Sequence, residues 1–120
     1  GGQCDLAIAN FKSVVQLNKA ALAAEARYEI ANCLFQVNKL GDAEKAAFET
    51  INKSGSYDYW VTKSYILLGD IYFKQKDYFN AKATFQSIVD NTLNAELKGE
   101  AQAKLSQVTE EEGKSSKVNN

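Results

Sequence analysis

The side chains able to do chemistry are few and widely spaced. The chain has no His. That excludes Ser–His and Cys–His nucleophilic pairs, His-containing zinc sites and haem held by His. Cys4 and Cys33 form no C-x-x-C pair, and no other Cys or His could complete a metal site with them. The carboxylates offer no catalytic pair. Asp70 follows Gly69 inside a helical run, and Asp77 stands at a turn where it can cap the next helix. Glu110, Glu111 and Glu112 form a short run that reads as a solvated helix end. No glycine-rich phosphate loop occurs, since Gly1 and Gly2 are terminal. What remains is a set of aromatic and charged groups at helical spacing, suited to binding. Successive helical residues turn by about 100°. Lys63, Ile66, Asp70, Phe73 and Lys74 therefore share one side of a helix. Glu25, Tyr28, Asn32, Phe35 and Gln36 share one side of an earlier helix.

Composition narrows the partners. Fourteen basic and fifteen acidic side chains give a net charge of −1. A nucleic-acid binder draws its affinity from a basic surface, and so does a protein that lies on an anionic membrane. Neither fits. No apolar run approaches the ~20 residues that span a bilayer. The chain lacks Met, which implies a processed or excised piece of a longer protein. It also lacks Pro, which permits long unbroken helices.

Helices must then position these side chains. Ala7, Phe11, Val14 and Val15 lie on one face of a first helix, with Asp5 as its N-cap. A second is expected from about 21 to 37, with Ala26, Ile30, Leu34 and Val37 on one face. Gly41-Asp42 interrupts, and a third runs to about Asn52. The stretch 52–56, Asn-Lys-Ser-Gly-Ser, is the clearest loop. A fourth helix spans about 58–74. A fifth follows Asp77 and ends near Asn91. Asn94 caps a sixth, with Leu97, Ala101, Leu105 and Val108 on one stripe. Gly113 closes it, and 114–120 reads as a frayed polar tail. Tyr65-Ile66-Leu67-Leu68 could pass for a buried strand, but it lies inside a longer helical period.

These elements repeat. Tyr65, Leu68-Gly69, Tyr72, Ala81 and Phe85 follow one another at the spacing of the tetratricopeptide repeat, which the segment resembles, with Tyr in place of the usual Trp. Asp77-Tyr78 matches the turn before that repeat's second helix. A weaker copy reads Ile30-Ala31, Leu34, Leu40, Ala43, Ala47 and Ile51, and a half copy opens the chain at Ala7 and Phe11. The alanines recur after 36 and then 38 residues, slightly more than the usual ~34. The closing Pro is absent, and Ala47 stands where a large aromatic is expected, with Phe48 one position off. Small Gly69 and Ala31 allow the helices of a hairpin to cross closely, Ala81 and Ala43 supply the matching small residue, and Phe85 and Phe11 fill the gap to the next unit. Cys4 lies three residues before Ala7, as Tyr78 and Leu40 precede Ala81 and Ala43, so it reads as a small core filler. Cys33, beside Leu34, reads the same way.

The resemblance implies an all-α, right-handed solenoid of antiparallel hairpins with about six helices. The array occupies residues 1–112, comprising a half repeat about 4–18, repeats about 21–52 and 58–91, and a capping helix about 94–112. A polar tail at 113–120 follows. It implies no enzyme activity and no cofactor or metal. The expected role is a protein-binding scaffold with a peptide or protein segment in its concave groove. That groove would be lined by Glu25, Tyr28, Asn32, Phe35 and Gln36 and by Lys63, Ile66, Asp70, Phe73 and Lys74. The repeat lengths resemble those of bacterial cell-envelope proteins of this type, in the periplasm or at the outer membrane. Self-association without a foreign ligand, including a homodimer through the first helix, is the alternative function. An RNA-reading helical array is the weaker rival, disfavoured by one Arg and a negative net charge. The aromatic crowd Tyr57, Tyr59 and Trp60 is expected to pack the preceding loop.

Overall fold

The computed structural model describes residues 2–16 and 20–119. Its six helices run α1 Gly2–Gln16, α2 Ala20–Gln36, α3 Leu40–Lys53, α4 Asp58–Lys74, α5 Tyr78–Asn91 and α6 Ala95–Asn119. No strand occurs among the described residues, and Tyr65–Leu68 is helix. No described helix is long and apolar enough to cross a membrane. Each helix packs on its neighbour in sequence, and α2 also touches α4, as α4 touches α6. No such contact joins α3 and α5. The molecule measures 53 × 34 × 19 Å with a radius of gyration of 15.2 Å. A compact domain of this length would have about 13.6 Å, so the molecule is elongated.

Turn chemistry sets the boundaries. Between α2 and α3, Lys39 N–H donates to Leu34 C=O and Asn38 N–H to Phe35 C=O. Between α4 and α5, Asp77 N–H donates to Tyr72 C=O and Lys76 N–H to Phe73 C=O. Both are Schellman closures with a left-handed residue, Asn38 at φ 64 and Lys76 at φ 63. The two turns are copies, 38 residues apart. Asp77 caps α5 by accepting from Asn80 N–H at 3.2 Å, and Asn94 caps α6 by accepting from Leu97 N–H at 2.9 Å. Both caps fall where the sequence places them.

Several boundaries move. Asp5 is not an N-cap, because α1 already begins at Gly2; it sits in the first turn, where a carboxylate suits the helix dipole. Gly41 and Asp42 lie inside the first turn of α3, and the break falls at 37–39. Gly113 does not end α6. The expected tail is helix to Asn119, and Asn120 lies outside the described residues. Residues 17 and 18, placed in the half repeat, also lie outside them, as do the side chains of Val14 and Val15.

Two cores form. Ile66, Ala81, Phe85, Ile88, Leu97, Ala101 and Val108 join α4, α5 and α6. Ala31, Ala43 and Ala47 join α2 and α3, with Leu67, Leu68 and Ile71 of α4 filling the rest. The glycine on α4 has a steric reason: a Cβ on Gly69 would overlap the Phe85 ring. Tyr65, the first residue of the repeat pattern, is 40% exposed.

The cysteines depart most from expectation. Cys4 and Cys33 are not two separate fillers; they are bonded as a disulfide, with Cα atoms 5.8 Å apart. The antiparallel α1–α2 hairpin brings them level with each other. In the chain-entropy account, closing a loop of this size stabilises the fold by roughly 3–4 kcal/mol.

Candidate functional site

The side shared by α2, α4 and α6 carries most of the predicted groove residues, and they engage one another. The Tyr28 ring lies 5.6 Å from the Trp60 ring, and Trp60 meets Tyr59 edge-on at 4.8 Å. Lys63 Nζ stands 5.5 Å from the centre of the Tyr28 ring, and Lys74 Nζ 5.4 Å from that of Phe35. These cation–π contacts tie α4 to α2 across the face. Asp70 on α4 receives two hydrogen bonds from Lys104 Nζ on α6, at 2.8 and 3.0 Å. The face is thus laced helix to helix, with Glu25, Tyr28, Asn32, Phe35, Lys63, Asp70 and Phe73 partly buried and Gln36 and Lys74 exposed.

Its electrostatics lean negative. Desolvation pushes the Tyr28 hydroxyl up to about 12, and the nearby charges of Glu29, Glu100 and Asp70 push the same way. Glu29 is raised by partial burial and by Glu25, with Lys63 opposing. Asp70 is raised mainly by burial, against the pull of Lys104. A phenol and two carboxylates whose ionised forms are disfavoured by burial can bind by hydrogen bonds and apolar contact. They form no nucleophile–base pair. No cluster of metal-ligating side chains occurs among the described residues.

One predicted position is closed to a ligand. Ile66 is only 3% exposed and belongs to the α4–α6 core, because α6 lands on its side of α4. Phe73 is partly buried, as Tyr28 and Phe35 are, and its ring lies 5.9 Å from that of Tyr78 on α5. Conversely, Glu29, Trp60, Glu100 and Lys104 belong to the face and were missed. The polar side of α6 was the signal for Glu100 and Lys104, had the face been carried one helix further.

A hollow of about 830 Å³ lies elsewhere, between the first half of α4, the second half of α5 and residues 92–94. Tyr59, Thr62, Tyr65, Ser87 and Leu93 line it, and Asp58 is its one charged residue. The chain matches no family model, no curated protein and no solved structure.

Proposed function

We propose that the chain is a tetratricopeptide-type α-solenoid that binds a peptide or protein segment along the face built by α2, α4 and α6. One observation carries this reading. Alternate helices α2, α4 and α6 touch in succession while α3 and α5 do not. A stack whose helices lie closer on one side curves toward that side, so this face is the inner one. The copied turns at 37–39 and 75–77 support a repeat origin for the hairpins.

On this face, partly buried Tyr28 and Phe35 offer apolar anchors, and Glu25, Glu29, Asn32 and Gln36 offer a polar rim. Such a mixture suits recognition of a segment by a few aromatic contacts and directional hydrogen bonds. The role is that of a non-enzymatic scaffold, without a cofactor. A bonded cysteine pair persists in oxidising compartments, which favours placement in a bacterial cell envelope over a cytoplasm.

The test is selection of binders from a random-peptide library displayed on phage. Selected peptides should bind Tyr28→Ala and Asn32→Arg at least ~10-fold more weakly than the unaltered chain. Lys45→Glu, on exposed α3 surface, should leave them unchanged. Peptides that bind all three variants alike would overturn the reading.

A further inference from the structure

Helix α1 is attached differently from every other helix. It touches only α2. None of its described side chains, residues 4–13, is fully buried; Cys4, Ala7, Ile8 and Phe11 are partly buried, and Leu6 is 69% exposed. The side-chain hydrogen bond within it, Ser13 to Ala9 C=O, holds the helix to itself. Among the described residues no ion pair joins α1 to α2. The specific link is the Cys4–Cys33 bond. Helix α2 also contacts α3 and α4.

We propose that the Cys4–Cys33 disulfide is a redox latch on α1. Oxidised, it holds α1 on α2. Reduced, it lets α1 leave while α2–α6 stay folded. Both sulfurs belong to partly buried residues, within reach of a small dithiol. A thiolate of the dithiol attacks one Cys sulfur, and the other Cys leaves as a thiolate that takes up a proton. The second thiol of the reductant then closes on the mixed disulfide. Two electrons pass to the protein sulfurs, giving Cys4 and Cys33 thiols and the disulfide of the reductant. Local opening of α1 is the expected response, because its contacts in this chain are with α2 alone. This inference stands apart from the binding reading and would hold with an unused inner face.

Amide hydrogen exchange of the full chain, read by mass spectrometry with and without dithiothreitol, tests it. Reduction should speed exchange in 5–16 by at least ~10-fold and leave 24–112 within about twofold. Cys4→Ser should show the fast α1 exchange under both conditions. If that variant fails to fold, the two arms on the unaltered chain decide alone. The proposal is overturned if α1 exchange is insensitive to reduction, or if any helix within 24–112 accelerates by the same factor. It is equally overturned if the air-oxidised chain takes up two equivalents of an alkylating agent under denaturing conditions.

Discussion

The hairpins α2–α3 and α4–α5 share one turn backbone, yet their interiors are filled in different ways. In α4–α6 the buried apolar side chains include Ile66, Leu68, Ile71, Phe85, Ile88, Leu97 and Val108. In α2 and α3 every buried apolar side chain is alanine: Ala23, Ala24, Ala26, Ala31, Ala43 and Ala47. The crossing points make the contrast local. Gly69 faces Phe85 in the second hairpin. Thirty-eight residues earlier, Ala31 and Ala47 occupy the matching places, both fully buried. A large residue against none is exchanged for two small ones. The first hairpin then depends on α4, whose Leu67, Leu68 and Ile71 complete its core. Burial of an alanine stabilises far less than burial of Phe or Leu. Stability should therefore fall from α6 toward α1, and the disulfide sits at the weak end.

That contrast can be broken at its crossing points. Phe85→Ala should cost about 3–5 kcal/mol, because it empties the space that Gly69 leaves. Ala47→Phe should cost about 1–3 kcal/mol by overpacking, and Ala31→Gly should recover part of it by recreating the Gly–Phe pair. Urea unfolding of the two single variants and the double variant measures the coupling. An additive double variant would show that the two crossings are not equivalent.

A smaller effect is expected where α4 meets α6. Burial raises Asp70 despite Lys104, so its folded value lies above its unfolded one. The protonated form is therefore favoured by folding. That contribution is full below the unfolded value and is lost as pH rises through the folded value. Lys104→Met removes the compensating cation and raises Asp70 further. The variant should be about 1–2 kcal/mol less stable than the unaltered chain at neutral pH, discounted for partial exposure of the pair. The deficit should vanish in acid as Asp70 protonates. Thermal unfolding across the pH range reads it, and a deficit independent of pH would assign the loss to packing instead.

How much of this was legible in the sequence follows from what helical phase can encode. The period identified six helices, and local capping chemistry placed Asp77 and Asn94 correctly. The motif predicted a close approach at Gly69. Phase does not encode the level at which two antiparallel helices meet, so Cys4 and Cys33 read as separate fillers. Nor does it say which side of α4 the last helix will cover, so Ile66 reads as a groove residue although it is buried. Gly113 was read as a stop, but a single exposed glycine costs a helix only ~1 kcal/mol. Here Lys114 bridges it by pairing with Glu110 at 3.5 Å and Glu111 at 3.4 Å. Phe48 is 40% exposed, while Ala47 packs against Leu67, Leu68 and Ile71 of α4.

The central claim is that the face of α2, α4 and α6 is the binding face. An amide NMR titration of the isotope-labelled chain with a library-selected peptide tests it most directly. The account predicts shifts grouped around Tyr28, Asn32, Lys63, Asp70 and Lys104, with the amides of α3 little changed. Shifts grouped instead around Tyr65, Ser87 and Leu93, at the hollow between α4 and α5, would contradict it.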